Sequence, residues 1–342
     1  PRARPASLLQ WMSRAAWLAL LAALAAAADQ PLSVAPPSAA PGGSATLAAA
    51  GLQPGARALI WAGGPYVTGA VSMPGTARGV AVAGHYAYVA QDGQGRQVVD
   101  ITDPAAPVIA GAAQTNGGFG NNVTNSYQPF GGPANAVAVA GHYAYVAAGA
   151  VAVDVFDVAV PTDPKLIGRV TPPAPINDVA LAGSLAYLAI DDGRDGLLVV
   201  DIADPAAAAI IGAVSTAAAP QGVAVDGGTV YAAEGRSGVQ ILNVSDPRTH
   251  MILGGLATAG DAAAVAVSGD DLYVADRGDG LQVLDVATPS VPRLITTART
   301  PSAAVGVRLS GHYALLSDEI GGLVVMDVSD PAAPALAATV DL

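Results

Sequence analysis

Six times along the chain the same order of apolar and polar positions returns. An apolar triplet leads to a glycine turn, a second apolar run, an acidic loop, a third run, and an Asp-Pro or Thr-Pro step. The triplets are Val80-Ala81-Val82, Val137-Ala138-Val139, Val179-Ala180-Leu181, Val223-Ala224-Val225, Val265-Ala266-Val267 and Val307-Arg308-Leu309, spaced by 57, 42, 44, 42 and 42 residues. A recurring period in this range marks an array of identical supersecondary units. In the first unit the apolar runs are 79–83 (a), 86–90 (b), 97–101 (c) and 108–112 (d). Short runs rich in Val, Ile and Tyr, bounded by Gly, Asp and Pro, predict strands. Pro104, Pro164, Pro205, Pro247, Pro289 and Pro331 share the c–d turn, where a missing N–H breaks no ladder. No helical stripe follows the first 28 residues, so the chain reads as all-β.

Strands apolar on both faces do not suit a sandwich with one wetted side. Four-stranded antiparallel blades, each packed between two neighbours, bury both faces, and this predicts a β-propeller. Ala at the centre of five of the six triplets places strand a at the hub, where blades converge and little volume remains.

The third runs include Arg96-Gln97-Val98-Val99-Asp100, Leu197-Leu198-Val199-Val200-Asp201, Leu281-Gln282-Val283-Leu284-Asp285 and Leu323-Val324-Val325-Met326-Asp327. With Gly84-His85-Tyr86-Ala87-Tyr88-Val89 and Asp327-Val328-Ser329-Asp330-Pro331-Ala332-Ala333-Pro334, they resemble the LVIVD repeat family. The resemblance covers residues 65–342 and implies a propeller of an exported bacterial or archaeal protein. It implies no particular activity. Unit two departs with Val153-Asp154-Val155-Phe156-Asp157, and unit four has Asn243 in place of the final Asp.

Upstream, residues 65–70 copy the strand-d pattern, and 57–62, 44–50 and 32–35 fit c, b and a. This favours seven blades, the first degenerate and contained in residues 29–75. The alternative is six blades over 76–342, preceded by a Pro/Gly-rich β fragment. Before them, Arg2, Arg4 and Arg14 lead into an uncharged run at 15–28 that ends Ala26-Ala27-Ala28. Fourteen helical residues rise about 21 Å, short of a hydrocarbon core of about 30 Å. Residues 1–28 are therefore expected to be a secretion signal. The mature chain is then exported, without a membrane span, to the periplasm, the cell surface or the medium.

Composition narrows the chemistry. Of 342 residues 52% are hydrophobic, 12% are charged and none is Cys. The charged share is about half the usual one, which suits residues held between packed sheets. Without Arg2, Arg4 and Arg14 the chain holds 12 basic and 27 acidic residues, a net charge of −15. Such a surface repels phosphate, so nucleic acid and anionic membranes are not expected partners. Lack of Cys excludes disulfides, thiolate catalysis and Cys-bound metals.

Chain direction puts the b–c and d–a loops on one face. The b–c loops carry Asp92, then Asp191, Asp192 and Asp195, then Glu234, Asp276 with Asp279, and Asp318 with Glu319. Arg78, Asn135, Asn177 and Gln221 stand where d–a loops enter strand a. The long insertion 114–133 is another d–a connection and carries Phe119, Tyr127 and Phe130. Long loops on a rigid scaffold predict a binding face, here for a protein, small-molecule or glycan partner. Turn geometry alone also accounts for the Asp and Gly residues.

Asp191, Asp192 and Asp195 loosely resemble a calcium loop, but the bidentate Glu of an EF-hand is missing. No cofactor is expected beyond this weak calcium candidate. His85, His142 and His312 share the a–b turn, and equivalent turns of neighbouring blades lie about 10 Å apart, too far to share one metal. No Gly-x-Ser-x-Gly elbow appears, and the loop face has no His to act as base. The Asp ending strand c recurs around the ring, as expected of a structural hydrogen bond. Arg308 replaces Ala near the axis, where it must reach channel water or a carboxylate. The expected function is that of a monomeric, non-catalytic interaction scaffold. Its rivals are a channel-mouth carboxylate hydrolase or lyase and a calcium-stabilised adhesion or surface-layer module.

Overall fold

The computed structural model describes residues 19–21, 46–48, 57–61, 67–73, 77–91, 95–103, 106–113, 134–148, 152–192, 196–246 and 249–340. Six four-stranded antiparallel blades follow one another in chain order. Blade 1 consists of Ala77–Ala83 (a), Tyr86–Gln91 (b), Gly95–Asp100 (c) and Val108–Ala113 (d). The later a strands are Ala134–Ala140, Ile176–Ala182, Gly222–Asp226, Ala262–Ser268 and Ala304–Ser310. Strand d of each is Lys165–Val170, Ala209–Val214, Thr249–Leu256, Arg293–Ala298 or Ala335–Val340. Strand a of each of the first five blades lies beside strand a of the next, so a is the hub and d the rim, as the small central residues predict.

Local chemistry explains the repeated residues. Gly84, Gly141, Gly183, Gly227, Gly269 and Gly311 turn strand a into b with φ between 53° and 59°, a conformation that costs other residues a steric clash. His85, His142 and His312 follow as exposed residues, and their carbonyls accept the N–H of Ile101, Val158 and Val328 at 2.8 Å. The acid ending strand c accepts the amide two residues on: Asp100 from Thr102, Asp157 from Ala159, Asp201 from Ala203, Asp285 from Ala287 and Asp327 from Ser329, at 2.8–3.0 Å. Asn243 does the same for Ser245 at 2.9 Å, which is why Asn suffices in blade 4.

Blades are joined by close backbone approach and buried side chains. A Cβ added to Gly79 would lie 2.8 Å from Cα of Ala136 in the next blade, so the hub admits only small residues there. At the rim, strand d is bulged against c in every blade. Gly111 and Gly254 at this bulge receive the c–d turn of the next blade. Between blades 3 and 4, Tyr187, Leu197 and Val199 pack with Val223, Val230 and Leu242, and the seams 1–2, 2–3, 4–5 and 5–6 repeat this arrangement. Burial on both faces is what the doubly apolar strands require.

The ring has six blades, which corrects the seven favoured from the sequence. Arg57–Trp61 and Val67–Ser72 do pair as c and d would. Thr46–Ala48, however, does not take the b position. It pairs antiparallel with strand a of blade 1, Thr46 opposite Ala81, and lies against strand a of blade 6. The inner edge of a strand a offers unpaired backbone groups, and a short strand without a hairpin partner is satisfied there. Ala19–Leu21, within the expected secretion signal, pairs with Arg57–Trp61. Residues 32–35 lie outside the described residues. Among the described residues no helix is long and apolar enough to cross a membrane.

Candidate functional site at the channel mouth

Strand a places three rungs of side chains around the loop-face end of the channel. On the first rung stand Arg78, Asn135, Asn177 and Gln221, with Ala263 and Val305 in blades 5 and 6. Asn135 donates to the Ile176 carbonyl of blade 3, and Asn177 to the Pro220 carbonyl at the start of the next hub strand, both at 2.8 Å. These amides latch each blade to its successor. Gln221 donates within its own connection, to Ala219 at 3.3 Å.

The second rung is Gly79, Ala136, Asp178, Gly222, Ala264 and Gly306, and the third is Ala81, Ala138, Ala180, Ala224, Ala266 and Arg308. Each rung therefore has one charged exception. The two exceptions meet, with Arg308 Nη2 4.0 Å from Asp178 Oδ1, although their blades lie three places apart around the ring. Arg308 also donates to the Val307 carbonyl at 3.1 Å. Asp178 accepts the amides of Val179 at 2.8 Å and of Val223 in blade 4 at 3.0 Å. Burial raises the Asp178 pKa, against the lowering by Arg308 and by the two amides. Of the two surroundings expected for Arg308, channel water or a carboxylate, the structure gives it a carboxylate. Its partner Asp178 was not singled out in the sequence, although an Asp among Gly and Ala at one repeat position marks it.

The end of strand b carries the acids of blades 4 to 6: Glu234 directly follows Thr229–Ala233, Asp276 closes Asp271–Asp276 and Asp318 closes Tyr313–Asp318, and all three are buried. Asp276 accepts the amides of Gly260, Asp261, Gly278 and Asp279 and the side chain of Gln282 at 2.9–3.3 Å. Asp318 accepts the amides of Ser302 at 2.9 Å and Gly321 at 2.6 Å and the Ser302 hydroxyl. Burial alone would raise its pKa, but the Ser302, Gly321 and Thr300 hydrogen bonds outweigh it and hold the carboxyl below the usual range. Both carboxylates therefore tie their b–c loop to the preceding d–a loop. Glu234 makes only the corresponding contacts with Ala218, at 3.3 Å, and Ala217. Its Oε1 is buried without a partner among the described residues, and burial pushes its pKa up to about 7 despite the two amides.

Asp191 is exposed and Asp192 half-buried, and among the described residues no three His or acidic side chains converge as metal ligands. Asp92, Phe119, Tyr127, Phe130 and Asp195 lie outside the described residues.

Radial four-stranded blades around a hub with a charged mouth define a β-propeller. The family model for the LVIVD repeat matches residues 74–115, 131–172, 176–216, 219–257, 259–300 and 302–342. The chain belongs to the LVIVD repeat family. Among solved structures it is similar to the computationally designed Ika8 protein, with TM-score 0.59 and 12% identity over 92% of this chain and 91% of that one. A chain of the Mitotic Checkpoint Complex is also similar, with TM-score 0.60 and 11% identity over 79% and 80% of the two chains. Identities this low speak for the fold alone. No curated protein matches the chain.

Proposed function

We propose that the protein is an exported, non-catalytic scaffold that binds a protein or small ligand through its b–c and d–a loop face. The observation that carries this reading is the Asp178–Arg308 pair. The hub holds one carboxylate and one guanidinium at fixed positions where the remaining blades have only Gly or Ala. The Arg308 side chain keeps 33% exposure, so the pair is not sealed from solvent. Asp276 and Asp318 support the same reading, because their oxygens are taken up by loop amides rather than aimed at a substrate. Export rests on the composition of residues 1–28.

One observation favours the rival enzyme. Glu234 has a pKa of about 7, the range of a general acid–base group. The two readings separate in a capture experiment. The protein is immobilised as the full chain, without residues 114–133, as Arg308→Ala and as Glu234→Gln, and exposed to the extracytoplasmic fraction of its source cells. A scaffold loses at least about tenfold of a captured partner in the deletion or in Arg308→Ala, equivalent to about 1.4 kcal/mol, and keeps it in Glu234→Gln. Equal capture by all four forms, each shown folded by circular dichroism, refutes the proposal.

A further inference from the structure

The residue four places before the end of strand c faces the seam with the next blade. In five blades it is apolar and buried: Val153, Leu197, Val239, Leu281 and Leu323. In blade 1 it is Arg96, with 0% exposure. The surrounding seam is built from Tyr88 and Val98 of blade 1 and Val146 and Phe156 of blade 2. The guanidinium carbon sits 3.7 Å above the Phe156 ring centroid. None of the three side-chain nitrogens has a hydrogen-bond partner among the described residues.

The Phe156 ring lies against the guanidinium carbon, and the N–H donors of the fork that recognises carboxylates have no acceptor among the described residues. Charge points the same way. Tyr88 and Asp154 act electrostatically on Arg96, but Asp154 is bound at 2.6 Å by Arg169 of its own blade. Two cations thus share one described carboxylate. Burial lowers the Arg96 pKa, against Tyr88 and Asp154, only to about 10, so the group is charged at neutral pH. A desolvated cation without hydrogen bonds is among the most costly groups a core can hold, and an anion in its plane removes that cost.

We infer that the seam between blades 1 and 2 is a binding site for a small monovalent anion, a carboxylate group or a chloride ion, held in the plane of Arg96 above Phe156. The Arg–Phe stack fixes the fork, the apolar seam excludes larger or multivalent anions, and local opening of the seam admits the ion. This site is independent of the loop-face reading, since Arg96 lies between sheets and not at the channel mouth.

Thermal unfolding followed by circular dichroism tests it at constant ionic strength, in sodium formate, sodium chloride and a poorly penetrating fluoride reference. The wild-type Tm rises by about 5 °C in formate, in chloride or in both, the shift expected at about a hundredfold excess over Kd. Formate alone identifies a carboxylate site, and a chloride response identifies a halide-accepting one. Arg96→Leu, which installs the residue of blades 3, 5 and 6, unfolds above the wild type in fluoride and loses the anion-specific rise. Arg96→Lys keeps the charge but not the fork and loses most of the formate response. Parallel shifts in wild type and Arg96→Leu, or no anion-specific shift in the wild type, overturn the assignment.

Discussion

Replacing Arg308 by Ala installs the residue of the other five blades and removes the guanidinium that faces Asp178 at 4.0 Å. Unit charges at that distance interact by about 4 kcal/mol at an effective dielectric of 20. Because the Arg308 side chain is 33% exposed, solvent screening reduces this to about 1–2 kcal/mol. Asp178, with a side-chain exposure of 13%, is left with only its two amides, and its already raised pKa climbs further. A carboxylate with a raised folded-state pKa binds more protons folded than unfolded. Its penalty is therefore absent below the ordinary Asp range and grows as pH rises through the raised value. Arg308→Ala should cost about 1–2 kcal/mol where Asp178 is ionised, and progressively less as falling pH protonates it, in urea unfolding. Asp178→Ala loses the same pair and also strands the amides of Val179 and Val223, about 1 kcal/mol each. The double variant leaves no unpaired charge, so its loss falls short of the two single losses together by about 1–2 kcal/mol. Additive losses, or a cost for Arg308→Ala that does not change with pH, would refute the coupling across the hub.

Glu234→Gln should flatten a second pH dependence. The Glu234 pKa lies at about 7 in the folded chain against 4.5 ordinarily, so wild-type stability falls as pH rises from 4.5 to 7. Urea midpoints of the variant should fall less steeply than those of the wild type across that window, with only the Asp178 contribution left, and a slope unchanged in Glu234→Gln would show the wrong group was named. Gly111→Ala puts a Cβ within 2.5 Å of the Pro161 carbonyl oxygen, which is backbone and cannot swing aside. It should destabilise by about 1–3 kcal/mol in the same assay, and a neutral result would mean that the rim seam yields more freely than its geometry implies.

Features that repeat with the period were legible one unit at a time. The glycine of the a–b turn and the Asp or Asn ending strand c each act within a few residues of chain. The strand-c side chain accepts the amide two residues on in each blade, so recurrence alone discloses it. That Arg308 needs channel water or a carboxylate was legible too, because an apolar hub does not tolerate an unpaired cation. Less legible was the purpose of the loop-face acids. Asp276 and Asp318 read as exposed loop residues, but each is buried against a d–a loop about sixteen residues back, a contact set by the packing of two loops in space.

The sequence by itself determined the unit: four short strands, apolar on both sides, with the smallest residues on strand a. It also determined the radial arrangement, because only a ring of blades buries every such face. The closed ring decided the rest. Whether Thr46–Ala48 completes a blade or lines the edge of one depends on which backbone groups remain unpaired after closure. That Asp178 meets Arg308, and that Arg96 faces Phe156, depends on which blades adjoin or oppose one another. Those distances run across the axis or through a seam rather than along the chain, and a period along the chain carries no record of them.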